Sequence, residues 1–230
     1  MIENSLFMNR SVSPPQYTHL LSVIVLRLLI VPFVGWGGML SEILASFLFF
    51  YMTILIIQSY RLPRSLFMLF VAISSIGFVL DMILTLGWVP MTVPPTLIVQ
   101  VIYSLSFGSA AWLILQRLLQ TSRVTMDTVK GGICVYLLLG YTWSLLYGIV
   151  YTLDPNAFSS ALVTEEGSYL NMLYFSFITL TTLGFGDIVP VNEVASVLTI
   201  LEALVGQIYP AVFMALLVST YLAHRHLSET

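Results

Sequence analysis

Residues 168–190 read Ser168-Tyr169-Leu170-Asn171-Met172-Leu173-Tyr174-Phe175-Ser176-Phe177-Ile178-Thr179-Leu180-Thr181-Thr182-Leu183-Gly184-Phe185-Gly186-Asp187-Ile188-Val189-Pro190. The first half, from an N-capping Ser168 to Leu180, is mostly apolar and helix-compatible but only about 13 residues long. At about 1.5 Å per residue such a helix covers ~20 Å, short of the ~30 Å hydrocarbon core of a bilayer. In a membrane it must enter and turn back. The second half, Thr181–Gly186, is uncharged and places glycines at alternate positions. Such spacing allows backbone conformations in which successive carbonyls point to one side. Non-helical backbone at membrane depth is tolerated only where it is buried in protein or lines a water-filled path.

Everything around this stretch is membrane-like. The chain has 230 residues, 58% of them hydrophobic and only 8% charged, with a mean hydropathy of +0.97. A soluble domain carries about three times as much charge, so a cytosolic enzyme is excluded. Hydrophobic runs separated by Gly, Pro or charges predict six spans, at 20–32, 41–60, 65–88, 97–119, 132–153 and 194–223. The first two turn around Gly35-Trp36-Gly37-Gly38, the third ends at Pro90, and Pro94-Pro95 break the chain before the fourth. A net charge of −3 offers no basic surface, so nucleic acid is not an expected partner. The single cysteine, Cys134, excludes a disulfide framework or a cysteine metal cluster within one chain. His19, His224 and His226 all lie near chain ends, and no cofactor is expected. Residues 1–19 do not read as a cleaved signal peptide, so the first span is expected to stay.

Basic residues set the orientation. With a cytoplasmic amino terminus, Arg10, Arg61, Arg64, Arg117, Arg123, Lys130 and Arg225 fall inside. Asp154, Glu165, Glu166, Asp187 and Glu193 fall outside, with no Lys or Arg among them. Both termini are therefore expected in the cytoplasm. Arg27, Glu42 and Asp81 remain within or beside apolar runs, where charges are costly and usually paired. The favoured reading has Arg27 snorkel or bond to Glu42 or Asp81 and brace the first three helices; an ion or proton path is the other reading.

The chemistry lies in the quoted loop. Four such strands around one axis would stack rings of carbonyl oxygens able to replace an ion's water shell. The Thr182 hydroxyl would add an inner ring, Phe185 would wedge the strand against surrounding helices, and Asp187 would stand at the outer mouth. The short helix aims its carboxyl end, a partial negative charge, at the place where a cation would wait. Thr182-Leu183-Gly184-Phe185-Gly186-Asp187 resembles the signature Thr-x-Gly-[Tyr/Phe]-Gly-Asp of the pore-loop potassium-channel family, set between two spans and after a short pore helix.

The resemblance implies a fold and a site. The fold is an all-α membrane protein with six transmembrane helices, a re-entrant pore helix and a selectivity-filter loop between the fifth and sixth, assembled as a symmetric homotetramer in the lipid bilayer. The carbonyls of Thr182, Leu183, Gly184 and Phe185 would coordinate dehydrated K+, the permeant ion, with Thr181, Gly186 and Asp187 in support. Leu183 stands where valine is usual and Phe185 where tyrosine is usual, and the phenylalanine lacks a hydroxyl that could tie the filter to the pore helix. The resemblance runs through Gly132–Ala223. Gly206, 22 positions after Gly184, looks like the family's gating-hinge glycine, and close helix packing is the competing reading. Pro210 should kink the last helix. On that alignment Gln207 and Pro210 face a water-filled cavity and Met214 the narrower region below. Glu202 falls behind the filter, where hydrogen bonding to the pore helix is favoured over attracting cations.

The domain plan follows: 1–19 cytoplasmic segment, 20–119 peripheral four-helix domain, 120–131 linker, 132–223 pore domain and 224–230 tail. The peripheral domain resembles a voltage sensor without its charges, because Leu97–Leu119 holds only Arg117. The connector Gln120–Lys130 is amphipathic enough to lie on the membrane surface. His224-Arg225-His226 reads as a positive-inside anchor, with a cytoplasmic pH response as the other reading. The expected function is passive, selective conduction of K+ without steep voltage gating and without enzymatic chemistry. A weakly selective Na+/K+ channel and a non-conducting channel-like subunit are the alternatives. The compact size hints at a prokaryotic inner-membrane protein.

Overall fold

The computed structural model describes residues 17–34, 38–59, 64–89, 93–120, 124–159 and 168–228, without the side chains at 31–42, 56–67, 168 and 220–228. The chain runs as α1 (Tyr17–Val34), α2 (Gly38–Ser59), α3 (Arg64–Thr85), α4 (Val93–Leu119), α5 (Met126–Leu153), a 3-10 turn at Pro155–Ala157, β1 (Phe158–Ser159), α6 (Ser168–Leu180), β2 (Val189–Pro190) and α7 (Glu193–Ser228). Among the described residues, four helices are long and apolar enough to cross a membrane: α3, α4, α5 and α7. Shorter apolar stretches fill α1, α2 and α6, at Tyr17–Ile30, Ile43–Leu55 and Tyr169–Leu180. The protein is a mostly helical, multi-pass membrane protein. Arg10, Arg61, Arg123, Glu165, Glu166, the glycine turn at 35–37 and the side chains of Glu42, Arg64, His224, Arg225 and His226 lie outside the description.

Helix ends differ from the sequence reading where local chemistry decides. Pro94 and Pro95 do not precede α4 but sit in its first turn, where a missing N–H costs no helical bond. α5 begins at Met126, six residues before Gly132, because Thr125 and Thr128 cap it reciprocally. The Thr128 amide donates to Thr125 Oγ1 at 3.3 Å and the Thr125 amide to Thr128 Oγ1 at 3.1 Å. The second half of the expected 120–131 connector is therefore helix. An all-helical chain was expected, yet β1 pairs antiparallel with β2, Phe158 opposite Pro190. That small ladder ties the segment after α5 to the segment leaving the Gly184 loop.

Helices in lipid gain little from the hydrophobic effect, so close packing and hydrogen bonds must hold them. Ala110 and Ala111 let α4 approach its neighbours and are 2% exposed. Ile24, Met52, Phe107, Leu138 and Tyr141 join α1, α2, α4 and α5 in one core. Phe49 packs 4.6 Å from both Tyr103 and Phe107, centroid to centroid. One flank of α5 is thus covered by α1 and α4 of the same chain. A second core surrounds α6: Tyr147, Met172, Phe175, Ile178, Ile188 and Ala195.

Arg27 is buried between these bodies. Its Nη1 donates to the Ala45 carbonyl at 2.7 Å and its Nη2 to the Tyr169 hydroxyl at 2.9 Å. The guanidinium also lies over the Phe49 ring, 3.7 Å from the centroid. Asp81 instead accepts from the Tyr103 hydroxyl at 3.4 Å. Among the described residues Arg27 and Asp81 form no ion pair. The cation links the peripheral helices to the first turn of α6 through these oxygens and the ring face, while its Nε has no hydrogen-bond partner among the described residues.

Candidate functional site

The last four carbonyls of α6 have no partner within the helix and need others. All four are satisfied by neighbours in space. The Phe177 carbonyl accepts from the Thr181 amide at 3.1 Å and from Thr181 Oγ1 at 2.7 Å. The Ile178 carbonyl accepts from the amides of Leu183 at 2.8 Å and Gly184 at 3.1 Å, and the Thr179 carbonyl from Thr182 at 2.9 Å. The fourth, Leu180, accepts from the Tyr136 hydroxyl of α5 at 3.0 Å. The loop is thereby folded back onto the helix that delivers it.

The backbone of the loop alternates in hand. Thr182, Gly184 and Gly186 are left-handed, with φ of 58°, 51° and 78°, and Leu183 and Phe185 between them are not. Gly184 and Gly186 supply that conformation without a Cβ penalty. Thr182 does not: a β-branched residue at positive φ is strained, by about 1–3 kcal/mol. Thr182 is the one non-glycine at positive φ among the described residues. On the single chain, Thr181 through Asp187 are all exposed, including the apolar Leu183 and Phe185 at 57% and 66%. Among the described residues, apart from its immediate chain neighbours, nothing lies within 4 Å of where a Cβ would stand on Gly184 or Gly186.

The outer end is fastened on two sides. The Tyr174 hydroxyl of α6 donates to Asp187 Oδ2 at 2.6 Å, and Asp187 Oδ1 accepts from the Ile188 amide at 3.1 Å. Asn192 caps α7, accepting from the Ala195 amide at 2.8 Å, and donates to Asp154 Oδ2 at 2.9 Å. Replacing Tyr174 with Phe is expected to leave fold stability unchanged and to loosen the outer end of the loop. Bi-ionic reversal potentials should then show a lower K+ over Na+ permeability ratio than wild type.

Behind the loop, Glu202 of α7 is fully buried. The Tyr147 hydroxyl of α5 donates to its Oε2 at 2.5 Å, and its Oε1 lies 2.6 Å from Ser176 Oγ of α6. One turn on, Gly206 faces the end of α6. A Cβ on Gly206 would overlap the Leu180 carbonyl oxygen, with the Leu180 carbonyl carbon at 2.8 Å and Cα at 3.0 Å. Gln207, Pro210 and Met214 are exposed on the single chain at i, i+3 and i+7 of α7, one helical face. Tyr209 donates to the Gly132 carbonyl at 2.8 Å and holds α7 to α5 below the loop.

The structure therefore brings together Thr181–Asp187, Glu202 and Gly206 around the end of α6. Gln207, Pro210 and Met214 lie on the adjoining face of α7; Asp81 stays among the peripheral helices with Tyr103, and Arg27 reaches from them to Tyr169 at the start of α6. Tyr136, Tyr147, Tyr169, Tyr174 and Ser176 carry much of the support and were not singled out from sequence. Their signal was available: a hydroxyl within an apolar span needs a partner.

Residues 132–223 match the ion-channel family, the segment that carries α5 through α7. The chain is similar to Protein LctB of Bacillus caldotenax, 32% identical over 122 residues that cover 50% of this chain and 87% of that protein. Protein LctB of Geobacillus stearothermophilus is 30% identical over 120 residues, with the same shares of each. Two-pore potassium channel 4 of Arabidopsis thaliana is 30% identical over 91 residues, 39% of this chain. The chain spans 31% of that plant protein. No solved structure matches significantly.

Proposed function

This chain belongs to the ion-channel family, and on that premise we propose that it is the subunit of a homotetrameric channel conducting K+ selectively and passively. Each chain contributes six spans, with both termini in the cytoplasm, and one loop to the ion path. The observation that carries this reading is the hand of the backbone: left-handed Thr182, Gly184 and Gly186 alternate with Leu183 and Phe185 in an uncharged loop after a helix too short to span. Alternation of this kind turns successive carbonyls to one side, so Thr182, Leu183, Gly184 and Phe185 would offer oxygens to a dehydrated cation. Thr181, Gly186 and Asp187 hold the strand at its two ends. Loop backbone at membrane depth must border protein or water, and the exposure of Thr181–Asp187 on one chain favours assembly of four around a shared path. K+ is the cargo, and no cofactor is needed.

Purified protein in liposomes tests this reading. K+ efflux is expected, with reversal potentials that follow the K+ gradient and not the Na+ gradient. Potentials that follow both would favour a weakly selective channel, a reading supported by the missing tyrosine hydroxyl at Phe185. An absence of flux would favour a non-conducting subunit.

Gating by voltage is not expected. Moving one charge through 100 mV is worth about 2.3 kcal/mol, and a steep response needs several per subunit. α4 carries a single basic residue, Arg117, in its last turn. Conductance in planar bilayers should vary little with potential; a sharply sigmoidal conductance–voltage curve carrying several gating charges would overturn this.

A further inference from the structure

Ser176 Oγ has two oxygens within hydrogen-bond distance: the Gly140 carbonyl of α5 at 2.8 Å and Glu202 Oε1 at 2.6 Å. A hydroxyl has one proton to donate. The Gly140 carbonyl has none, so the short contact to it requires the serine's. A second proton must then lie between Ser176 Oγ and Glu202 Oε1, and the remaining source is the carboxyl group itself. The other carboxyl oxygen needs none, because the Tyr147 hydroxyl donates to it at 2.5 Å.

Surroundings agree with the proton count. Glu202 is 0% exposed, and an isolated carboxylate in such a place is costly. The titratable groups that face it are Tyr147 and, further off, Tyr136, both from α5; α6 presents Ser176. Among the described residues no Lys, Arg or His pairs with it.

We propose that Glu202 is held as a neutral carboxylic acid that donates to Ser176 and accepts from Tyr147, a positioning residue that fixes the pore helix α6 between α5 and α7. The acid does not attract cations. In a tetramer a carboxylate there would set four negative charges behind the filter, whereas the neutral acid sets none and leaves ion binding to the loop. The inference deepens the channel reading, and its effect on selectivity rests on that reading. The protonation state does not.

The test is an infrared difference spectrum of wild type minus Glu202→Gln in native-like membranes at pH 7, with Glu202→Leu as a second subtraction partner. The expected result is the C=O stretch of a protonated carboxyl group; a carboxylate stretch in its place would overturn the proposal. Glutamine keeps a donor for Ser176 and an acceptor for Tyr147, so Glu202→Gln should retain K+ flux and K+ over Na+ selectivity within about twofold. Glu202→Leu leaves both hydroxyls without their partner and should lose about tenfold or more. Equal damage by the two substitutions would also overturn the proposal. If wild type itself carries no flux, the channel reading fails while the infrared result still decides the state of Glu202.

Discussion

Gly184→Ala is expected to abolish selective K+ flux through an assembled protein. The residue sits at φ 51° with nothing among the described residues near the missing side chain, so the obstacle is the backbone and not a clash. An L-residue in the left-handed region costs about 1–2 kcal/mol, and a four-fold ring would carry about 4–8 kcal/mol of it. Since about 1.4 kcal/mol is tenfold in rate or population, the loop should leave the alternating conformation. Flux measured in liposomes checks this, with Gly87→Ala as control. Gly87 has the same hand, φ 71°, and the same open surroundings, but lies at the end of α3. The control should keep its flux. Wild-type flux and selectivity in Gly184→Ala would mean that the loop is not the filter.

Gly206→Ala carries the second large effect, by a different route. Its Cβ would collide with the Leu180 carbonyl, the atom that also accepts from Tyr136. Backbone cannot swing aside as a flexible side chain can, and overpacking typically costs about 1–3 kcal/mol. The end of α6 must shift, and with it the first residues of the loop. The expected result is a lower unfolding temperature in detergent together with a loss of K+ flux of about tenfold or more. A hinge role alone predicts something else: an intact unfolding temperature with altered open probability in single-channel records. The geometry favours close approach as the reason for glycine here.

What the sequence made legible was local. A short helix was expected over Ser168–Leu180, and α6 has those bounds; the Ser168 side chain, and with it the expected N-cap, lies outside the described residues. The start of α5 was missed although its signal is also local, since the cap uses Thr128 where a Glu or Gln is the familiar partner. Thr182 at positive φ was missed because β-branched residues avoid that region; the demand comes from the loop as a whole. Arg27 was expected to snorkel or to bond to Glu42 or Asp81; the Glu42 side chain lies outside the described residues, and Asp81 forms no ion pair with Arg27. In the fold its oxygens come from Ala45 and Tyr169, the latter 142 positions away. Hydropathy cannot report a contact of that separation. Roles in conduction are a further step, since no residue pattern measures ion selectivity.

The shared core of α1, α2, α4 and α5 bears on how such a protein is made. One chain closes this core alone, flanking its own α5 with its own α1 and α4. The loop at Thr181–Asp187 is exposed among the described residues. If four chains assemble as proposed, a newly inserted subunit would have a finished periphery and an unfinished centre, still carrying the strain at Thr182. Encounters between subunits, which depend on their density in the bilayer, would then be the step that completes the ion path.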